Sequence, residues 1–210
     1  MGKPAKETTE VTAPVTNVLY VIDGSSFGGG ERVFLQLVSK LKKDYRIFVA
    51  ACPGGSFQNK IEDENVAFIP LDLNRRVSPK PLFQILRAIK ANRIDIVHSQ
   101  GARADFYTRV SGRLAGLRHQ VCTLAMPVEG FDVGAPRKTV YRLADQATEA
   151  VVDRFIVVSD ALRKMLIEKR GIDRHRVVRI YNGIELDRYI PGKIGAGVKA
   201  VSYTHLRAHE

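Results

Sequence analysis

Residues 17–43, NVLYVIDGSSFGGGERVFLQLVSKLKK, contain the pattern that decides the fold. Asn17 to Ile22 is a compact apolar run of strand length, and a glycine-rich loop follows it directly. Residues 29–43 then repeat apolar side chains at helical spacing, namely Val33, Leu37, Val38 and Leu41. An apolar strand, a short loop and an amphipathic helix together form the first half of a βαβ unit.

The same alternation of strand and helix continues along the chain, with apolar runs about 25 residues apart. The further predicted strands are Arg46–Ala51, Val66–Leu71, Ile94–His98, His119–Leu124, Arg154–Val158 and Val177–Tyr181. The further predicted helices are Ser56–Glu64, Pro79–Asn92, Arg103–Ala115, Pro136–Ala150 and Asp160–Lys169. The strands are apolar throughout, as expected when helices cover both faces of a sheet. The sequence therefore predicts an α/β fold with a Rossmann-like, doubly wound, mostly parallel sheet of seven strands.

The 210 residues suit one α/β domain, which we place at residues 17–191. Residues 1–16 are polar and predict a disordered tail without the apolar core of a signal peptide. Residues 192–210 do not continue the pattern and are interpreted as a linker remnant and an artefactual tail. The tail's end, VSYTHLRAHE, resembles translated sequencing-adapter read-through. No apolar run approaches the roughly 20 residues that span a bilayer.

The formal net charge is +11, which suggests an anionic partner of some kind. The basic residues are spread out and are not interleaved with aromatic residues, which argues against nucleic acid. Solvated helix faces explain most of the charge, and contact with an anionic membrane is the functional alternative. Cys52 and Cys122 lie inside predicted strands, so we expect buried free thiols in a reducing, cytoplasmic compartment. Contact with an anionic membrane would place the protein at the inner face of that membrane.

Ligand sites in such a sheet lie at the carboxyl ends of the strands. Four segments follow strands there: residues 23–32, 98–105, 125–135 and 181–185. These segments are the candidates for the functional site.

The first of these segments contains the glycines Gly28, Gly29 and Gly30, followed by Glu31 and Arg32. Glycines let backbone N–H groups approach a ligand, and the start of a helix favours anions. The spacing matches neither the dinucleotide fingerprint nor a Walker loop. The alternative is a simple turn from strand to helix, with Glu31 complementing the helix dipole.

The fourth strand leads into a second group of polar residues. His98, Ser99 and Gln100 fall at its carboxyl end, where a substrate would lie. His98 is predicted either to line the site or to be a structural histidine. Arg103 opens the next helix and is predicted to face either an anionic ligand or solvent.

Four segments in order resemble family 4 glycosyltransferases of the GT-B fold. Residues 28–32 (GGGER) resemble the family's Gly-Gly-x-Glu-Arg opening, and residues 96–101 (IVHSQG) resemble its Val-His-x-His/Gln segment. Residues 155–159 (FIVVS) resemble its Val-Val-Ser strand, and residues 178–185 (VRIYNGIE) its Asn-Gly segment before the interdomain linker. Each motif alone is weak, but their order and spacing match over residues 17–191.

The resemblance implies two Rossmann-like domains that face a cleft, with this chain as the N-terminal, acceptor-side domain. The C-terminal domain would hold the nucleotide sugar, and transfer would retain the anomeric configuration without a metal or cofactor. The resemblance implies that Gly29 and Gly30 approach the donor, with Gly28, Glu31 and Arg32 beside them. The acceptor would be a glycan or a lipid-linked sugar. The residues predicted to bind it are His98, Ser99, Gln100, Arg103 and Glu129. Asn182 and Gly183 would form the turn leading to the hinge.

Two departures from the family pattern bear on activity. The fifth strand of many relatives ends in Thr-x-His, but here Ala125 takes the histidine's place. Alanine neither binds a sugar hydroxyl nor moves a proton, so the protein either uses another group, such as Glu129, or has impaired activity. The donor domain is also missing, so we expect the chain alone to bind weakly and to transfer no sugar.

Two alternatives to a glycosyltransferase stay open from the sequence. One is a sugar-nucleotide epimerase of the same fold, and the other is a non-catalytic Rossmann-type module that binds a sugar or an anion. A further hypothesis concerns membrane contact through residues 126–150. Its cations are Arg137, Lys138 and Arg142, and its apolar residues are Val128, Phe131 and Val133. The alternative for this segment is a core helix that buries Val140, Leu143, Ala144 and Ala147.

Overall fold

The computed structural model of the chain describes residues 15–24, 28–73, 78–126 and 135–183. Within these ranges, a single parallel sheet has the strand order β3-β2-β1-β4-β5-β6-β7. The strands are β1 (Asn17–Ile22), β2 (Arg46–Ala51), β3 (Ala67–Pro70), β4 (Ile96–Gln100), β5 (His119–Leu124), β6 (Arg154–Val157) and β7 (Val177–Arg179). The predicted doubly wound sheet of seven strands is confirmed, and every pairing within it is parallel.

Helices connect the strands in the predicted order. They are α1 (Gly29–Leu41), α2 (Ser56–Asp63), α3 (Lys80–Ala91), α4 (Ala102–Ala115), α5 (Ala135–Thr148) and α6 (Asp160–Lys164). A π-helical turn, Met165–Lys169, extends α6, and short 3-10 turns cover Glu149–Val151 and Arg174–Arg176. Local sequence fixes several helix ends. The Ser159 hydroxyl accepts a hydrogen bond from the Leu162 N–H at the start of α6, and Gly116 ends α4 with a left-handed φ of 75°.

The fourth strand lies two residues later than predicted, at Ile96–Gln100 instead of Ile94–His98. Ile94 still belongs to the turn after α3, because its N–H donates to the Ile89 carbonyl and the preceding Arg93 has a φ of 48°. The shift places His98 in the middle of a buried strand and makes Gln100 the residue at its carboxyl end. The seventh strand begins where predicted but is two residues shorter, ending at Arg179.

The two faces of the sheet are covered unequally. Helices α1 and α2 pack on the face formed by Val18, Tyr20 and Ile22. Helices α3 to α6 pack on the opposite face, across the whole width of the sheet. On the first face, α1 and α2 cover β1 to β3, whereas no described helix covers β5 to β7. Ile156 is therefore only half-buried, and its neighbour in the register, Val178, is exposed.

A buried chain of charges joins α4, α5 and the end of α6. The Arg109 guanidinium lies 2.6 Å from Asp145, and Arg170 pairs with both Asp145 and Glu149. The alternative of a core helix that buries Leu143 and Ala147 is therefore contradicted, because both residues are exposed. The helix turns Asp145 inward because a buried arginine needs a counter-charge.

Candidate functional site

The chain reverses its direction of travel through the sheet between β1 and β4. This is the position at which open α/β sheets bind ligands, at the carboxyl ends of the strands. Here the Asp23 N–H donates to the Gln100 carbonyl over 3.1 Å, which closes the space between the two strand ends. Two cavities open on the β5 side of this point, and both are bordered by Gln100 and Thr123.

The larger cavity, which we call the α1 groove, has a volume of about 360 Å³. One wall is a stripe of α1 that includes Gln36, Leu37 and Lys40. The other wall is the uncovered face of the sheet, with Ile156 and Val158. The groove is also bordered by polar residues on or beyond the strands, namely His98, Gln100, Thr123, Tyr181 and Asn182, and by Gly183. The groove is thus mostly apolar, with its polar groups gathered where the strands end.

His98 borders the groove but is held inside the core. Its Nε2 atom lies 2.7 Å from the Thr123 hydroxyl, and its ring packs 4.9 Å from Tyr20 and 6.3 Å from Phe34. Burial lowers the pKa of His98 to about 4, so the imidazole is neutral at physiological pH. A neutral ring whose Nε2 is already engaged orients Thr123 rather than supplying a proton.

The smaller cavity, the edge pocket, has a volume of about 170 Å³ and lies between the ends of β4 and β5. Ala125 and Met126 border it, and so does the buried Asp105 of α4. The Oδ1 atom of Asp105 has no hydrogen-bond partner among the described residues. Burial raises the pKa of Asp105 to about 6, although the nearby Arg109 opposes this rise. Ala125, which stands where the family has a histidine, therefore borders the same pocket as Asp105. The sequence pattern did not indicate this buried acid.

The start of α1 is already occupied by its own glutamate. A Glu31 carboxylate oxygen accepts a hydrogen bond from the Gly28 N–H over 3.0 Å. A Cβ atom built on Gly24 would lie 2.2 Å from the same carboxylate, so a larger residue there would displace the Glu31 side chain. Glu31 thus caps the helix. This agrees with the alternative in which the glycine loop is a turn from strand to helix and Glu31 complements the helix dipole. An anionic ligand at this helix end would meet a carboxylate.

Gly30 faces the site itself. A Cβ atom added to Gly30 would lie 3.0 Å from the Gln100 amide nitrogen, whereas one added to Gly29 would meet nothing within 4 Å. The glycine loop and the end of β4 therefore meet at Gln100. Arg32, one turn into the helix, is exposed.

Arg103 was predicted to face an anionic ligand or solvent, but its guanidinium group binds other residues of the chain. Its Nε and Nη2 atoms donate to the two carboxylate oxygens of Asp23, over 3.1 and 2.9 Å, and its Nη1 donates to the Leu73 carbonyl. Gly101, with a φ of 104°, allows this close approach, because its Cβ would lie 2.6 Å from that of Asp23. Arg103 therefore ties the β1 loop to the start of α4.

The remaining predicted residues divide between the two faces of the sheet. Ser99 is buried and points to the opposite face from its neighbour His98, since it aligns with Val21 and Cys122 in the α4-side layer. Asn182 and Gly183 border the α1 groove. Glu129 lies outside the described residues. Sequence reasoning did not select Asp23, Asp105 and Thr123 individually. Asp23 follows β1 and Thr123 lies at the end of β5, whereas Asp105 lies in α4, inside the candidate segment 98–105.

Comparison with known proteins decides the family. Residues 27–188 match the model of Glycosyltransferase Family 4, which is more than half of the chain. The chain belongs to this family.

Relatives of this family 4 chain are considerably longer. It is 25% identical over 172 residues to the UDP-Gal:alpha-D-GlcNAc-diphosphoundecaprenol alpha-1,3-galactosyltransferase of Escherichia coli. The match covers 78% of this chain but 43% of that enzyme, so the chain spans less than half of the relative's length.

Solved structures show the same fold. A glycosyltransferase from Rickettsia africae matches with a TM-score of 0.66 at 18% identity, over 88% of this chain and 47% of that one. Anabaena HepE in complex with UDP-glucose matches with a TM-score of 0.67 at 16% identity, over 82% of this chain and 45% of that one. The predicted family and the Rossmann-like fold are thereby confirmed for this Glycosyltransferase Family 4 chain.

Among the helices that the structure describes, none has both the length and the apolar character of a membrane span.

Proposed function

We propose that this chain is the acceptor-side half of a retaining, sugar-nucleotide-dependent glycosyltransferase. The enzyme moves a hexosyl group to a glycan or a lipid-linked acceptor. The observation that carries the proposal is the meeting of Gly30, Gln100 and Thr123 beside two open cavities, at the strand ends of a family 4 fold. A lipid-linked acceptor is supported by the E. coli relative, which is named for transfer to alpha-D-GlcNAc-diphosphoundecaprenol.

The described residues suggest a division of roles at this edge. The Gln100 amide has donor and acceptor atoms for sugar hydroxyls and borders both cavities. Gly29 and Gly30 carry no side chain, so they leave room for the uncharged sugar of the donor, rather than its diphosphate, near the Glu31 carboxylate. The His98 ring holds the Thr123 hydroxyl in place. Arg103 and Asp23 act indirectly, because their ion pair joins the end of β1 to the start of α4.

We propose that the donor, a nucleotide sugar, is held by a second domain, since the chain spans less than half of the length of the E. coli relative. Asn182 and Gly183 form the turn that leads toward it. Because the α1 groove has one open side, a pocket for the reaction is complete only when that domain closes over it. We therefore propose that the chain alone does not transfer sugar.

The transfer exchanges one bond for another at the anomeric carbon. The acceptor hydroxyl oxygen forms a bond to this carbon as the bond to the diphosphate oxygen breaks, and the nucleoside diphosphate leaves. In a retaining transfer, the new bond forms on the face from which the diphosphate departs. The acceptor's proton passes to the departing diphosphate or to Glu129, because Ala125 supplies no base and His98 is buried.

We also propose that the protein works in the cytoplasm, at the inner face of the membrane. A lipid-linked acceptor would lie at that surface, and Cys52 and Cys122 are buried and form no disulfide with each other. Peripheral contact with an anionic membrane would then bring the acceptor to the site.

A second candidate function is a non-catalytic module that binds a sugar or an anion. Ala125, in the place of the family's histidine, favours it. The two functions differ in one observable. In a binding module, substitutions at Gln100 or Thr123 change the ligand affinity, but no nucleoside diphosphate is released under any condition. The transferase releases nucleoside diphosphate.

Replacing Gln100 with Leu in the full-length protein tests the proposed site. We expect kcat/KM for the acceptor to fall about 10- to 100-fold, because a buried sugar hydroxyl would lose its hydrogen-bond partner. Steady-state release of nucleoside diphosphate measures this. Gln146→Leu, on the exposed side of α5, is the matched control and should stay within about twofold of the wild type. Equal rates for Gln100→Leu and the wild type would contradict the assignment of Gln100.

A further inference from the structure

Two acidic residues, Asp105 and Asp145, border the edge pocket, and both are buried. Both carboxylate oxygens of Asp145 are engaged, because Oδ1 lies 2.6 Å from Arg109 and Oδ2 lies 2.5 Å from Arg170. The Oδ1 atom of Asp105, by contrast, has no hydrogen-bond partner among the described residues. Of the two acids, Asp105 is therefore the one with an acceptor atom left open.

The other contacts of Asp105 do not complete its hydrogen bonding. The side chains of Ser99 and Cys122 hydrogen-bond to its carboxyl group. Arg109, one turn further along α4, directs its guanidinium to Asp145 and forms no ion pair with Asp105 within the described ranges. A buried carboxyl oxygen without a donor lowers the stability of the fold, and the raised pKa of Asp105, about 6, reflects the same poor solvation. A hydrogen-bond donor that enters the pocket would relieve this cost.

The size and the charges of the edge pocket limit what can enter it. Its volume of about 170 Å³ is below the roughly 300–1,000 Å³ of pockets that enclose a whole small-molecule ligand, so it suits one substituent of a larger molecule. An anionic group would meet the carboxyl groups of Asp105 and Asp145. A cationic group would meet the guanidinium of Arg109, which pairs with Asp145. A neutral donor, such as a hydroxyl group, avoids repulsion by either charge.

The edge pocket is adjacent to the residue proposed to bind sugar hydroxyls. Gln100 borders both this pocket and the α1 groove. A sugar ring carries hydroxyl groups on neighbouring carbons, so a ring held at Gln100 brings a second hydroxyl close to the pocket. Ala125, in the place of the family's histidine, also borders the pocket and leaves the polar contacts there to other residues.

We propose that the edge pocket is a subsite for one sugar hydroxyl group and that Asp105 accepts the hydrogen bond of this group. The subsite rests on the proposed function, from which its ligand is taken, and adds a binding residue on α4. The Asp105 carboxyl group turns readily about its terminal torsion, so the oxygen without a partner can face the hydroxyl. The hydroxyl belongs either to the hexose of the donor or to the acceptor sugar. A group that destabilises the free protein but binds the substrate is a common trade between stability and function.

Kinetics of the full-length protein with deoxy sugars test the subsite. One series replaces the UDP-hexose that the wild type uses by its monodeoxy forms, and the other does the same for the acceptor sugar. Removing the hydroxyl that enters the pocket should lower the wild-type kcat/KM about 10- to 100-fold, because a buried carboxyl group loses its donor. Asp105→Ala should lower kcat/KM for the complete substrates by a similar factor, and the same hydroxyl should then matter less than about threefold. The series that contains this position identifies the source of the hydroxyl.

Two further variants separate sugar binding from a structural role. Asp105→Asn keeps the size of the side chain and one acceptor oxygen, so kcat/KM should fall only several-fold, because hydrogen bonds to a neutral acceptor are weaker. Activity of Asp105→Asn at or above that of the wild type would mark Asp105 as structural and overturn the proposal. Thr108→Val, buried further along α4 and outside the edge pocket, is the matched control and should stay within about twofold of the wild type.

The same comparisons made on Kd, measured by isothermal titration calorimetry, need no turnover. Suppose that no nucleoside diphosphate is released, but that Asp105→Ala and the loss of one hydroxyl are non-additive in Kd. The transfer is then contradicted and the subsite stands. Additive effects at every hydroxyl position, in kcat/KM and in Kd, would overturn the subsite, since the pocket would then hold water only. Absence of binding by every sugar would overturn both.

Discussion

Replacing Arg109 with Met is expected to lower the free energy of unfolding by about 3–5 kcal/mol. Arg109 is 2% exposed and donates to the Asp145 carboxylate, the Thr148 hydroxyl and the Cys122 sulfur. Methionine fills much of the same space but donates no hydrogen bond. Asp145 would keep Arg170 as its partner, but the acidic groups around position 109 would lose their central cation.

Urea unfolding, followed by circular dichroism, measures this loss. A domain of ordinary stability has about 5–15 kcal/mol in total, so the variant should unfold at much lower denaturant or fail to fold. Arg113→Met, one turn further along α4 and exposed, is the matched control and should change stability by less than about 0.5 kcal/mol. A loss of under about 1 kcal/mol for Arg109→Met would contradict the role given to the buried charges.

Replacing Asp105 with Asn is expected to stabilise the protein at neutral pH but not at pH 4. The folded chain holds the Asp105 proton up to about pH 6, whereas an ordinary aspartate releases it near 3.8. Between these values the folded state binds more protons than the unfolded state, so this group lowers the free energy of unfolding as pH rises. Asparagine removes that cost, which reaches about 3 kcal/mol above pH 6.

The difference in free energy of unfolding between Asp105→Asn and the wild type is the quantity to measure. It should grow from about pH 4 to 6 and then stay constant. His98 acts in the opposite direction, since its lowered pKa makes the folded state bind fewer protons than the unfolded state between about pH 4 and 6.5. Subtracting the wild type removes this contribution. Asp63→Asn, on the exposed side of α2, is the control for removing a surface carboxylate and should change the free energy of unfolding by less than about 0.5 kcal/mol. A difference that is the same at pH 4.5 and 7.5 would contradict the burial of a neutral Asp105.

The strands and helices were largely readable from the sequence, because parallel strands buried on both faces are continuous apolar runs. The bounds of β2 and β5 agree with the prediction residue for residue. The prediction was wrong for β4, where Ile94 is apolar but belongs to the turn after α3. Hydrophobicity alone does not distinguish a buried turn residue from the first residue of a strand.

Contacts between distant segments were not readable from the sequence. Arg103 opens α4 as predicted, but nothing local shows that Asp23, 80 residues earlier, binds it. Leu143 fits an apolar helical repeat, yet α5 buries Asp145 because Arg109 and Arg170 lie beneath it. Such charge pairs are decided by packing between helices, which the periodicity of one helix does not report.

The candidate site was predicted at the level of segments rather than atoms. Gln100 and the glycine loop were predicted because they follow strands, and ligand loops in this fold lie at the carboxyl ends of the strands. His98 and Ser99 are adjacent in sequence, but the pleat sends them to opposite faces, and only His98 borders the groove. The pairing of Thr123 with His98 depends on the register of β4 against β5, which the sequence does not display.

The most direct test is to compare sugar transfer by the 210-residue chain with transfer by the full-length protein. The coding sequence is first read through the codons for residues 192–210 and beyond, and both proteins are purified. Release of nucleoside diphosphate from UDP-sugars is then measured with lipid-linked and glycan acceptors. We predict transfer by the full-length protein and none by the 210-residue chain. Transfer by the 210-residue chain alone, or none by a folded full-length protein with any acceptor, would contradict the proposal that this domain is one half of a sugar-transfer site.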